Sequence, residues 1–204
     1  MKTLTIGTTN PAKVAQIADA LSPSGIEAKC VADKTTLPDV VEDGKTAQEN
    51  ARKKAVAYAQ ALNTRVLSMD NALYFDDLDS ENQPGIYVRR IGGAAKPTDE
   101  KLLNHYQELV GSLGDRINGR WEFAVCIADP NGSIWETTII SPRIFTRERS
   151  THVVPGYPLE SIQIDPKSSK YIADMSLEEQ ALFWQNAIGS ELSKFVTDSF
   201  GEKS

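Results

Sequence analysis

Leu4-Thr5-Ile6-Gly7-Thr8-Thr9-Asn10-Pro11-Ala12-Lys13 begins as a short apolar strand, passes through small hydroxylated residues, and opens a helix. Asn10 suits the N-cap, because its side-chain oxygen can take a free N–H of the first turn. Pro11 fits the first helical position, where its missing N–H costs nothing. Val14, Ile17, Ala18 and Leu21 then fall on one stripe at amphipathic spacing. A strand therefore aims a helix N-terminus, with its unpaired N–H groups and partial positive charge, at whatever lies above it. Thr8, Thr9 and Lys13 add hydroxyls and a cation there, which makes a candidate phosphate cradle. Junctions of this kind are common in α/β proteins and most bind no anion, so the rest of the chain decides.

Outward from that junction, elements of both kinds alternate. Ile26 to Val31 reads as a strand, Asp33 to Lys45 as an acidic loop, and Thr46 to Leu62 as a helix. Val66 to Asp70 reads as a strand ending in Asp-Asn, and Pro84 to Gly93 as an irregular Gly-containing segment. Thr98 can cap a helix to Leu113, with Asp99 and Glu100 favourable in its first turn. Trp121 to Ala128 and Ile134 to Ile140 read as strands joined by Asp129-Pro130-Asn131-Gly132, a strong hairpin signal. Ser176 and Glu179 form a capping box for the last helix. On it Trp184, Ile188, Leu192 and Phe195 share a stripe that reads as core. No repeat or linker divides the sequence, so residues 1–204 are expected to form one α/β unit. Its expected architecture is a mixed sheet flanked by helices, with a smaller antiparallel lobe.

Composition narrows the function. With 204 residues, 40% hydrophobic and 25% charged, the chain has the make-up of a soluble globular protein. It lacks a signal-peptide pattern and any apolar run of membrane-spanning length, so a cytoplasmic protein with no membrane partner is expected. The net charge of −6 argues against a nucleic-acid surface. A small phosphorylated ligand needs only a local cluster of cations and a metal. Cys30 and Cys126 lack metal-ligand spacing and read as buried free thiols.

Within the helix at 46–62, Ala47, Ala51, Ala55, Tyr58 and Leu62 fall within an arc of about 80° at roughly 100° per residue. Glu49 and Lys53 lie outside it and read as a solvated i,i+4 pair. Lys54 projects about 20° from the edge of the stripe, with Asn50 one turn earlier. A lysine there either snorkels along the core edge or points into a cleft. Asp70 would stand at a strand tip, where open α/β sheets bind ligands. Asp-Asn is also good turn chemistry. Glu42 supplies a second carboxylate, and two carboxylates beside a phosphate cradle would suit Mg²⁺.

Together, Thr8-Thr9-Asn10-x-x-Lys13, Glu42-Asp43-Gly44-x-Thr46-x-x-Glu49-Asn50-Ala51-x-x-Lys54-Ala55, Asp70-Asn71 and Pro84-Gly85-Ile86-Tyr87-x-x-Arg90 form an ordered set. The set resembles the inosine triphosphate pyrophosphatase family, which hydrolyses non-standard purine nucleoside triphosphates to the monophosphate and pyrophosphate. The resemblance implies that Thr8, Thr9, Asn10 and Lys13 form the phosphate loop and that Lys54 contacts the phosphates. It implies Glu42 and Asp70 as metal ligands for Mg²⁺, with Asp70 and Lys54 catalytic. It also implies a small-molecule nucleotide substrate, a fold of two α/β lobes around a cleft, and a homodimer. Arg90 is more simply a salt bridge holding its turn.

The sequence departs from the family where Asp-Asp-Ser-Gly becomes Met69-Asp70-Asn71-Ala72, with one carboxylate missing. The base-stacking Phe-Gly-Tyr-Asp-Pro becomes Pro155-Gly156-Tyr157-Pro158-Leu159, and Ser-His-Arg becomes Trp184-Gln185-Asn186. Asn71, Tyr157, Gln185 and Asn186 are then the expected substrate contacts at those places. Amides both donate and accept, so base selectivity is expected to depart from that of the inosine enzymes. A nucleotide binder that has lost catalysis, or a pyrophosphatase for a different modified nucleotide, are the alternatives.

Overall fold

The first strand, β1 (Lys2–Ile6), runs into α1 (Pro11–Leu21) and returns as β2 (Ile26–Cys30), parallel to β1 with Leu4 opposite Ala28. These are features of a computed structural model that describes residues 2–31, 37–91 and 97–201. The start of the acidic loop, at Asp33, and Gly92 and Gly93 of the irregular segment lie outside the described residues. After α2 (Ala47–Leu62) comes β3 (Val66–Phe75), which pairs in parallel with β1 through Thr5–Val66 and Ile6–Leu67. Then follow α3 (Asp99–Leu113), β4 (Arg116–Ala128), β5 (Ile134–Thr146) and the two-residue β6 (Gln163–Ile164). The six strands form one mixed sheet in the order β2-β1-β3-β4-β5-β6, flanked by helices.

The hairpin turn closes as its sequence requires, with the Gly132 N–H donating to Asp129 O at 3.0 Å. Thr98 caps α3 by accepting from Lys101 N–H. Three strands are longer than their apolar patterns suggest. β3 continues five residues past Asp70, β4 begins at Arg116, and β5 runs on to Thr146. Asp70-Asn71 reads as a turn because it is polar, yet the ladder carries it and Ala72, Leu73 and Phe75 are buried beyond it. Cys126 is buried as expected, and its thiol is pushed up to about 12 by desolvation. Cys30 is exposed instead, because it ends the edge strand β2.

The chain divides into two compact units. One comprises residues 1–71, 122–140 and 181–204; the other comprises 72–121 and 141–180. In the second unit Phe75, Tyr106 and Phe145 meet at 4.8–6.1 Å between ring centroids, packed with Leu102, Leu103 and Ile162. In the first unit Ile6, Ile17, Leu21, Ala51, Ala55 and Leu67 are fully buried. Gly7 is obligatory there, since a Cβ on it would lie 2.5 Å from Ser68 Oγ and 2.9 Å from the Tyr58 ring.

The last helix is not continuous. α4 (Leu177–Trp184) gives way to a π turn at Gln185–Gly189 and resumes as α5 (Ser190–Gly201). Ser176 and Glu179 form their reciprocal capping box at its start. The π turn brings Gly189 against α1, where a Cβ would stand 2.8 Å from the Ala20 carbonyl oxygen. The extra residue shifts the phase, so Ile188, Leu192 and Val196 are buried while Trp184 is half-buried, edge-on to Phe123 and Phe183.

Candidate active site

β1 stops at Ile6, and its neighbour β3 runs on alone past Leu67 on that side. The space beyond the end of β1 is where the opening motif turns. Thr8 Oγ1 accepts from the Asn10 N–H at 3.1 Å, and Asn10 Oδ1 caps α1 by accepting from Ala12 N–H at 3.0 Å. Pro11 takes the first helical position. The junction is built as its sequence dictates, and the N-terminus of α1 points past the end of β1 with Thr9 exposed beside it.

Lys13, one turn into α1, donates from Nζ to the Met69 carbonyl oxygen at 3.0 Å. Its pKa is lowered to about 8, chiefly by desolvation and next by the Lys54 charge, with Asp70 and Glu42 acting in the opposite sense. Those four groups thus share one electrostatic environment. Lys54 comes from α2 and lies inside rather than snorkelling outward, its side chain 12% exposed. Its ammonium stands between two carboxylates, 3.2 Å from Glu42 Oε2 and 3.7 Å from Asp70 Oδ1. Asp70 is 17% exposed and Glu42 42%. Asn71 follows Asp70 with its Oδ1 buried and without a hydrogen-bond partner among the described residues.

The loop before α2 is tied down by the first turn of that helix. Thr46 Oγ1 accepts from Glu49 N–H, and Glu49 Oε2 accepts from Lys45 N–H at 2.7 Å. Glu49 is therefore a cap rather than the partner of Lys53, which pairs with Asp43 instead. Asn50, 3% exposed, accepts from Gly44 N–H through Oδ1 and donates through Nδ2 to Asp70 Oδ2. The helical phase that placed Lys54 also placed Asn50 beside it, but did not reveal these partners. The role of the Met69 carbonyl belongs to the backbone and leaves no signal in residue identity.

Of the other expected contacts, Gln185 and Asn186 lie on the π turn and Tyr157 lies in the second unit. Gln185 Nε2 donates to Ser22 Oγ at 3.1 Å. Ser22 follows the C-terminus of α1, an eleven-residue helix and so about 16 Å long, whose other end carries Asn10. Asn186 is exposed on the π turn. Tyr157 belongs to the second unit, where burial raises its phenol pKa. Arg90, also there, stacks its guanidinium 5.1 Å from the Tyr87 ring centroid.

The donor set fits a hard divalent cation. Glu42 and Asp70 offer only oxygens, and a cation, the Lys54 ammonium, already rests between them. Among the described residues no three His, Cys, Asp or Glu side chains cluster, so Glu42 and Asp70 are the carboxylates available here among them. Mg²⁺ takes few protein ligands and keeps its remaining positions for water and phosphate oxygens. No helix among the described residues is long and apolar enough to cross a membrane.

Comparison with known proteins places the chain as a whole. A family model described as the Ham1 family matches residues 4–185. A dITP/XTP pyrophosphatase of Exiguobacterium sp. is 31% identical over 180 residues, covering 88% of each chain. One of Rhodopirellula baltica is 32% identical over 179 residues, 85% of this chain and 82% of that one. With the dITP/XTP pyrophosphatase of Bacillus subtilis the match is 32% over 130 residues, 64% of this chain and 65% of the relative. Among solved structures, the Ham1 protein of Staphylococcus aureus aligns with a TM-score of 0.72 at 24% identity, covering 97% of this chain and all of that one. The likeness extends to the whole fold.

Proposed function

The chain belongs to the Ham1 family, and from that premise we propose that it hydrolyses a non-standard nucleoside triphosphate to the monophosphate and pyrophosphate, with Mg²⁺ as its metal. The observation that carries this reading is the meeting of Lys13, Glu42, Lys54 and Asp70 beyond the end of β1. Relatives named as dITP/XTP pyrophosphatases support the substrate class.

In this reading the N–H groups opening α1, Thr8, Thr9 and Lys13 bind the triphosphate. Glu42 and Asp70 would hold the metal, which would neutralise charge on the α-phosphate and the departing pyrophosphate. Lys54 exchanges carboxylate oxygens for phosphate oxygens, a move that needs only its flexible stem. Asp70 Oδ1 accepts a hydrogen bond from the attacking water and orients it toward the α-phosphorus. The same reading extends to a homodimer, which light scattering on the purified protein tests.

Pyrophosphate and monophosphate should appear in equal amounts from inosine, deoxyinosine or xanthosine triphosphate, and full chelation should abolish both. Orthophosphate as the product, or turnover that survives chelation, overturns the proposal. One observation favours a second reading, nucleotide binding without turnover. Met69 stands where the family has a carboxylate, and its side chain is buried. Tight triphosphate binding with no release of pyrophosphate selects it.

A further inference from the structure

Asn50 is a buried primary amide on a helix face otherwise lined by Ala47, Ala51 and Ala55. A buried amide is retained at a cost unless its donors and acceptor are satisfied. Here both ends are used, and on different parts of the protein. Oδ1 accepts from Gly44 N–H at 2.8 Å, and Nδ2 donates to Asp70 Oδ2 at 3.2 Å. The amide has one workable orientation. Flipped, it would set a donor against the Gly44 N–H and an oxygen against the Asp70 carboxylate.

The fit to Gly44 is close, since a Cβ there would lie 2.6 Å from Asn50 Oδ1 and 2.8 Å from Glu49 Cβ. Gly44 stands two residues after Glu42 in the same loop. One turn along α2 from Asn50, Lys54 reaches the same two carboxylate-bearing segments through Glu42 and Asp70. Helix α2 thus presents an amide and an ammonium in tandem, and each spans from loop to strand. The ammonium is exchangeable, because its bonds go to charged oxygens that a metal or phosphate can replace. The amide is not, because it holds a backbone N–H and the outer oxygen of Asp70.

We propose that Asn50 is a positioning residue for the reaction: it fixes the loop bearing Glu42 to β3 and leaves Asp70 Oδ1 free for the reacting groups. The role rests on the pyrophosphatase reading given above. It is tested by turnover together with amide hydrogen exchange at Gly44. Asn50→Asp keeps size and the acceptor for Gly44 but sets a carboxylate against Asp70. Turnover should fall at least tenfold with KM for the triphosphate within about threefold, and Gly44 should stay protected. In Asn50→Ala, Gly44 protection should fall at least tenfold. Placed in an Asp70→Asn background, Asn50→Ala should lower turnover by a clearly smaller factor than it does alone, since Asn50 acts in part through Asp70.

Losses that multiply in full in the double variant overturn the positioning role, as does a Gly44 amide that exchanges equally fast with and without Asn50. So does an Asn50→Asp protein of unchanged turnover. A wild-type protein with protected Gly44 that releases no pyrophosphate from any triphosphate overturns the pyrophosphatase reading and leaves a structural clamp.

Discussion

At the scale of single residues, three groups carry the expected chemistry and one titrates apart from it. Asp70→Asn should lower turnover by roughly 10²–10⁴-fold, the range for loss of a positioned acid or base. Its melting temperature should move little, because the side chain serves the site rather than a core. A turnover within threefold of wild type would show that another group orients the water. Lys13→Ala and Lys54→Ala should each weaken triphosphate binding by about 1.5–3 kcal/mol, with nucleoside binding unchanged. Calorimetric titration with both ligands checks this, and equal losses for the two would move the lysines from phosphate to fold. Glu160 lies in the second unit, where burial pushes its carboxyl up to about 7 and Arg143 acts in the opposite sense. The native state then binds that proton more tightly than the unfolded chain, so folding takes up a proton between the ordinary carboxylate value and 7. Stability contributed by protonated Glu160 is full at pH 4 and lost as pH rises to about 7, on the order of 1–3 kcal/mol. Glu160→Gln should flatten that part of the profile and melt higher than wild type at pH 8. Superimposable pH profiles for the two proteins would place Glu160 in a more solvated setting. Helical phase set Lys54 at the edge of its stripe and a broken apolar run marked Asp70, but each pattern left two readings open, and it is the fold that brings the two side chains to 3.7 Å. Asn50 was visible only as a neighbour of Lys54, since which amide atom meets which partner is settled by the fold.

At the scale of elements, the strand–turn–helix at the start was legible to the residue. Each of its parts has a local cause: Asn10 caps, Pro11 fits only the first turn, and Gly7 alone tolerates the contact with Ser68 and Tyr58. The far end of β3 was hidden because Asp70 and Asn71 interrupt its apolar run, and a strand continued by its neighbours has no local signature there. The π turn was hidden for the opposite reason. Trp184, Ile188, Leu192 and Phe195 keep a good helical period, so nothing local announces the inserted residue at Gln185–Gly189. Its cause is tertiary, the approach of Gly189 to the Ala20 carbonyl. Gly189→Ala should therefore destabilise by about 1–3 kcal/mol, as overpacking against backbone does. Urea unfolding measures it, and an unchanged midpoint would mean that the turn can slide along α1. The same insertion sends Gln185 to Ser22, so Gln185→Ala should alter kcat/KM for inosine relative to adenosine triphosphate by less than threefold. A larger change would return Gln185 to the substrate.

At the scale of the whole molecule, the sequence foretold the α/β class and the mixed sheet, whereas two lobes were expected only from the family resemblance, because the division into two units crosses the elements and has no linker to mark it. β3, β4, β5 and α4 each pass from one unit into the other. Within the first unit, distant segments are fastened by Arg65. Its guanidinium bonds both Asp129 oxygens at 2.5 Å, donates to Ser199 O at 3.1 Å, and lies over the rings of Trp135 and Phe200 at 4.7 and 4.9 Å. Such ties join residues far apart in order of synthesis. When β1, α1, β2 and α2 have left the ribosome, Ile17 and Leu21 still await the segment beyond residue 180 that completes their unit. At about 5–20 residues per second that wait lasts on the order of ten seconds. The nascent chain spends it with Ile17 and Leu21 short of the segment that completes their unit, so its yield in a cell is expected to respond to chaperone capacity. Stopping translation after residue 140 should leave an aggregating fragment even though Lys13, Glu42, Lys54 and Asp70 have all been made, and ribosome-bound chains of that length should be degraded by trace protease while the finished protein resists it.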